Sequence, residues 1–586
     1  MAYPSSAAPT VPTFAAPGNP PEEHFDAEAW ELTPETLAGL LQAGGEQVGN
    51  MLRLMSTSVA QILRRTPDRG EAVVKLGLPG GVAVHIVRSL NWESLAASLR
   101  LDRDSSHRLS QEAFGNAVFV ASYRHVAEDE PEAADAPPLD AATQAKVDRL
   151  KRELRKHANA RRDLKAYFGE AQVRARAPRL AQIASAAVDG ILASPPDQAV
   201  DMDLHILNYL FATGAEAMTG RAVDLSRHAE TFRRSIATMA ATVGSPWKST
   251  LGALNQGLAR FLARHATRAR GQLHEMARDL AGAALGQAAP NLVVDIVRMH
   301  GFVPAGVTPE QLKSEDFQPV LDDIAMEFAA TVFTTSSLMM LVLNHFIARP
   351  AELQALRQQL EQDFPQGVQG VEELYNLPST RALFLAFLGN LPINVAARGA
   401  VEDIRYTDSD GQEHLICAGD AVLFDLPTLQ RKCLGPMREL LENAGPQAAL
   451  FDFLDLRRNG GLLPMFFSGP TMCPGRYTGI FTAARFLLEL LHRCELSYYA
   501  GGEVPVNYGV VNRLGGDPRM RVEARDRWFD AEEPWGCPAM QAQLHELLWG
   551  APGLSDADAT ELEAAALPPP PAAAPACPMR PHPLPL

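Results

Sequence analysis

Residues 328–348 run for 21 positions without a formal charge. A stretch of that length is either a membrane span or the buried centre of a globular fold, since only those settings remove so many apolar side chains from water. Thr331, Thr334, Thr335, Ser336 and Ser337 interrupt its middle; Asp322, Asp323 and Glu327 precede it and Arg349-Pro350 ends it. That pattern predicts a long central helix in a protein core, and with no second candidate elsewhere the chain is expected to have no membrane span. The remaining elements then have to cover this helix on all sides. With 586 residues, 46% of them hydrophobic and 21% charged, the chain has ample material to do so.

Helical periodicity predicts further helices over 142–167, 177–192, 204–218, 229–242, 249–284, 351–363 and 476–492. Two regions carry strand patterns instead. Residues 72–87 read as two β runs around Pro-Gly-Gly, and 404–424 as a strand pair turning at Asp410-Gly411. These elements follow one another without a linker, so a single large unit over 29–550, mainly α with small β-sheets, is expected. Residues 1–28 are a Pro/Ala-rich arm and 551–586 a Pro/Ala-rich tail, neither able to form a packed core. Residues 128–141, acidic and Pro/Ala-rich, read as a solvent loop.

A formal charge of −16 leaves no basic excess, so nucleic acid is not an expected partner. The six cysteines (Cys417, Cys433, Cys473, Cys494, Cys537 and Cys577) include no CxxC pair. That usage reads as reduced thiols in the cytoplasm, and the N-terminus lacks the basic and apolar regions of a signal peptide. A cytoplasmic protein acting on a small molecule is the resulting expectation.

Cys-Pro occurs three times, so the dipeptide carries little information by itself. Only Cys473 has Phe466, Phe467 and Gly469 upstream, Gly475 two residues on, and an amphipathic helix directly after it. Glycines at 469 and 475 allow unusual backbone and a close approach to a flat ligand. A thiolate there gains from the N–H groups and dipole of the following helix. A buried structural cysteine beside a turn fits the same local residues.

The order Phe466, Gly469, Cys473, Gly475 and then helix resembles the haem-binding loop of the cytochrome P-450 family, in which a cysteine thiolate is the axial ligand of haem iron. Within that family the CPGR segment is similar to the prostacyclin synthase and cholesterol 7α-hydroxylase branch. The uncharged stretch resembles the family's distal helix, with Thr334 at the oxygen-side threonine. Ile416, Gly419 and Val422 match its strand pair, residues 72–87 its first sheet, and residues 157–168 the helix carrying basic residues towards the haem propionates. The resemblance covers about residues 30–530 and implies a P-450 fold in one large haem domain, haem b held by Cys473, and propionate contacts from His157, Arg161 or Arg162, and Arg398. Each residue also admits a structural reading: Thr334 bonded to the carbonyl four residues before it, Arg398 a solvated strand-end arginine, His157 part of a solvated helix face.

Three departures bear on what the resemblance implies. The family's E-x-x-R pair falls at Ala386 and Gly389, with Arg457 or Arg458 as a remnant of its ion network; losing such a network whole costs less than losing one member. Phe333 replaces the acidic residue before Thr334, where the family's acid and threonine organise proton delivery to dioxygen. Replacing Phe333 by Asp or Glu is therefore expected to raise reductant-driven turnover. Thr471 stands where the family commonly has an Arg or His facing a propionate. The implied activity is monooxygenation of a lipophilic small molecule with electrons from a separate reductase or ferredoxin. Reductase-independent rearrangement or dehydration of a hydroperoxide or endoperoxide is the alternative, and non-catalytic haem binding a further one. Pocket-lining segments are expected around 90–116, 242–251 and 504–514.

Overall fold

The computed structural model of the chain describes Leu63 and residues 70–525 apart from 78–82, 99–100, most of 103–165, 196–197, 244–255, 288, 365–377, 401, 444–452, 456–458, 468–471, 502–503, 508–510 and 516–517. The arms 1–28 and 551–586, the loop 128–141 and most of the helix expected at 142–167 lie outside the described residues. The described chain is mainly helical with small sheets, as the periodicity predicts.

In chain order the first elements are β1 (Val73–Gly77), β2 (Ala83–Val87), α1 (Trp92–Ala96) and β3 (Leu101–Asp102). Helices follow: α2 (Glu170–Leu192), α3 (Met202–Thr219), α4 (Ala229–Val243), α5 (Gln256–Leu285), α6 (Leu292–Met299), α7 (Gln318–Ile347), α8 (Pro350–Asp363) and α9 (Pro378–Gly389). Next come β4 (Val395–Ala400), β5 (Ile404–Thr407), β6 (Glu413–Ile416), β7 (Ala421–Asp425) and α10 (Leu426–Asn443). The last are α11 (Arg476–Arg493), β8 (Cys494–Tyr498), β9 (Val506–Asn507), β10 (Arg513–Leu514) and β11 (Met520–Ala524).

Helix α2 starts seven residues earlier than periodicity predicts and runs through Pro178. The missing N–H there is offset by burial of Val173, Ala177, Ala181 and Ile183 along one face. Helices α6 and α10 were not expected. The first has eight residues, and the second contains Gly435-Pro436, which breaks the periodic signal without breaking the helix. Caps that the sequence contains do act: Asp201 accepts from the Leu204 N–H at the start of α3, and Asn291 from the Val294 N–H at the start of α6.

Helix α7 is the centre. Of its apolar window, 83% is buried inside the protein, the covering of a core helix. Phe328 meets Phe211 of α3 with ring centroids 5.3 Å apart, and Gly214 lets α3 approach so closely that a Cβ there would lie 3.2 Å from the Phe328 ring. Asp322 pairs with Arg270 and His274 of α5, and Asp323 with His300 beyond α6, so the helix's acidic end is tied down by side chains and its middle by apolar packing. Helix α11 is also deeply buried. The Tyr209 hydroxyl of α3 donates to the Thr482 carbonyl of α11, and the Thr478 hydroxyl of α11 donates to the Phe168 carbonyl.

Beside the helices stands a five-stranded sheet in the order β1-β2-β7-β4-β3, in which β2 and β7 run parallel and the other neighbours antiparallel. The expected strand pair 404–424 divides. β5 and β6 form the hairpin with Gly411 at φ 81, while β7 leaves through Gly419 at φ 91 and enters the larger sheet. Two buried pairs lock β7 to β2 and its extension: His85 with Asp420 at 2.8 Å and Arg88 with Asp425 at 2.7 Å.

The end of α11 carries a pH-sensitive group. Burial, reinforced by the Arg525 guanidinium, pushes the buried His492 imidazole down to about 4. The unfolded chain protonates this histidine near pH 6.5, so the stability it contributes is present above that value and is lost as pH falls towards 4, at up to about 1.4 kcal/mol per pH unit. Denaturant midpoints measured down this pH range are expected to fall less steeply in His492→Gln than in the wild type.

Candidate functional site

Two 3-10 turns, Gly460–Leu462 and Pro464–Phe466, deliver the chain to Phe467. The chain is next described at Met472, and the Cys473 N–H donates to the Phe466 carbonyl at 2.8 Å, so the cysteine is fixed beside the phenylalanine that precedes it by seven residues. Three residues later α11 begins. Arg476, at its first position, donates through Nε to the Leu454 carbonyl at 2.8 Å and through Nη1 to the Cys473 carbonyl at 3.2 Å, with its guanidinium over the Tyr477 ring. One arginine thus ties the loop's two limbs to the helix start. Cys473 is half-buried and in no disulfide.

Gly475 does not adopt the special backbone expected of it. Its φ is −87°, open to any residue, and a Cβ there would meet nothing within 4 Å. Its missing side chain adds to open space beside the loop. The backbone exception is Phe467, with φ 57° and ψ −174°, a region that side chains rarely enter and the single positive φ outside glycine among the described residues. Its ring is caged by Trp92 at 5.5 Å and Phe424 at 5.0 Å, and the Arg398 guanidinium covers it at 4.5 Å. Arg398 itself is 6% exposed, on β4, and its Nη1 donates to the Ala397 carbonyl. It is no solvated strand-end arginine.

On α7, every residue from Asp323 to Leu343 is buried except Ala330, Thr331 and Thr334. Their i, i+1, i+4 spacing puts them on one face, so the enclosed stretch of α7 between 323 and 343 has a single uncovered patch at its middle. Thr334 is half-open there, and its hydroxyl donates to the Ala330 carbonyl at 2.9 Å, the structural bond foreseen for an interior threonine; its oxygen keeps lone pairs for a second partner. Gly479, six residues after Cys473, meets Thr335, next to Thr334: a Cβ at 479 would lie 3.6 Å from the Thr335 hydroxyl oxygen. The cysteine loop and the open patch therefore flank one helix crossing. Phe333 does not share the open face. It is buried with its ring under the Arg513 guanidinium at 4.9 Å, so a carboxylate placed at 333 is drawn to Arg513 and away from the patch.

The other thiols are placed differently. Burial pushes Cys433 up to about 11, where its thiol donates to the Gly461 carbonyl, and Cys494 up to about 12. Among the described residues no group of three or more His, Cys, Asp or Glu is arranged to hold a metal ion. A metal at Cys473 would have to bring most of its other ligands with it. His157, Arg161, Arg162, Gly469, Thr471, Arg457 and Arg458 lie outside the described residues. Ala386 is buried in α9 and Gly389 exposed at its end, with no charge at either position. The part that Phe467 and Arg476 play in holding the loop was not read from the sequence, because a strained φ and a side chain reaching back to Leu454 leave no periodic signal.

No family model matches the chain, and no curated protein matches it.

The strain at 467 makes a measurable inversion. Phe467→Ala and Phe467→Gly both lose the caged ring, at about 3–5 kcal/mol, but glycine also relieves the backbone. Chemical denaturation is expected to find the glycine variant more stable than the alanine variant by about 1 kcal/mol, opposite to the usual order.

Proposed function

We propose that the chain is a haem-thiolate oxidoreductase of the cytochrome P-450 type, with that family's fold in one large haem domain, acting on a lipophilic small molecule. One observation carries the reading: a half-buried cysteine in the loop before α11 lies beside the crossing where α7 has its only uncovered patch between residues 323 and 343. The residues present suit haem b. Cys473 would hold the iron through its thiolate, Gly475 places no side chain beside the loop, Ala330 is exposed on α7, and the buried Arg398 would supply a cation for a propionate.

Haem, when bound, supplies the electron transfer and the activation of dioxygen or peroxide. The chain's own residues do the rest. The Cys473 N–H bond to Phe466 and the Arg476 bonds to Leu454 and Cys473 hold the ligand loop, a task that the uncharged α9 leaves to other groups. Thr334, bonded to Ala330, presents an accepting hydroxyl oxygen at the open patch. Electrons for monooxygenation would come from a separate reductase or ferredoxin in the cytoplasm. The turned-away Phe333 favours a second reading, rearrangement of a hydroperoxide or endoperoxide, which requires no proton delivery to dioxygen.

The test is the visible spectrum of the purified protein, reduced and exposed to carbon monoxide. The wild type is expected to show the long-wavelength Soret band of thiolate-ligated haem, and Cys473→Ala to lose it; a wild type without haem, or a variant that keeps the band, overturns the reading. Turnover then separates the two activities. Product that requires reductant and oxygen identifies the monooxygenase, and product from a hydroperoxide alone identifies the isomerase or dehydratase.

A further inference from the structure

Phe467 occupies a backbone conformation that glycine would take without strain, yet the position carries a large ring. Strain of this kind persists where the surroundings hold the residue, and here the holding contacts are explicit. The Phe467 N–H donates to the Pro464 carbonyl at 3.0 Å, and the ring lies against Trp92 of α1 and Phe424 of β7. What the ring does in that cage is face Arg398. The guanidinium carbon stands 4.5 Å from the ring centroid, in a setting where both residues are more than nine-tenths buried. A cation over a desolvated aromatic face is held more firmly than in water. Phe467 also follows Phe466, whose carbonyl accepts from the Cys473 N–H, so the ring that fixes the cation belongs to the loop that fixes the thiol.

We propose that Phe467 is a positioning residue that holds the Arg398 guanidinium at the cysteine loop for a carboxylate of the bound macrocycle. The inference rests on the haem reading. It assigns the strained phenylalanine a task that glycine at this position cannot perform, because glycine has no face to present. The strain is then the consequence of placing an aromatic ring where the loop turns.

The experiment compares haem with its dimethyl ester, which lacks the propionate charges, in tryptophan-quenching titrations of the apoprotein with wild type, Phe467→Leu, Phe467→Tyr and Arg398→Gln. Leucine keeps apolar volume but has no aromatic face, and tyrosine keeps the face. Phe467→Leu is expected to bind the diacid on the order of tenfold more weakly while its affinity for the ester stays within about twofold, with tyrosine restoring the wild-type value. In the Arg398→Gln background the leucine change is expected to add no further loss. Equal loss with both macrocycles, or no loss with the diacid, overturns the inference and leaves the haem reading standing. Uptake of neither macrocycle by the wild type overturns the haem reading and the inference with it. Should the leucine variant not fold, Arg398→Gln carries the same comparison: it must lose the preference for the diacid, and a retained preference overturns the proposal.

Discussion

Helix α7 carries its uncharged stretch through the middle of the protein, and the surrounding elements are placed by the need to cover it. Phe328 against Phe211, the close approach permitted at Gly214, and the acidic end tied to Arg270, His274 and His300 are parts of that covering. The patch at Ala330, Thr331 and Thr334 has meaning because the rest of the helix between 323 and 343 is enclosed. An uncovered threonine on a surface helix would say nothing. Here it marks an opening along an otherwise enclosed stretch of helix.

The cysteine loop is held by a different kind of interaction. Its chain direction is set by carbonyl acceptors, Phe466 for the Cys473 N–H and Leu454 for Arg476, and by one caged ring in a strained conformation. Hydrogen bonds of this kind are directional where hydrophobic packing is not. The absence of charge at Ala386 and Gly389 is compatible with this. With no carboxylate and no guanidinium there, neither is left buried without its partner, and the loop is anchored from Arg476.

Much of the architecture was legible in the chain. The antiparallel pairing of β1 with β2, the strand pair turning at Gly411, the central helix and the last long helix all follow from periods of 2 and 3.6 residues and, at 411, from a glycine that the turn requires. Helix α10 and the early start of α2 were not legible, because Gly435-Pro436 and Pro178 read as breaks and only burial of the remaining face overrides them. At the site, the cysteine's setting and the threonine's helix could be read. The turn of Phe333 under Arg513, the cage around Phe467 and the reach of Arg476 to Leu454 could not.

The sequence by itself determined most of the helical segments, which stretch must be enclosed, and which cysteine stands before a helix, since each of these is a local property of spacing, charge and turn chemistry. Tertiary structure alone decided that three residues of α7 between 323 and 343 stay uncovered, that Arg398 is buried against a ring rather than solvated, and that Gly475 is open without being strained. The physical reason is the same in each case. Burial and side-chain direction depend on residues brought together from distant parts of the chain, and no local pattern encodes what a neighbour leaves open.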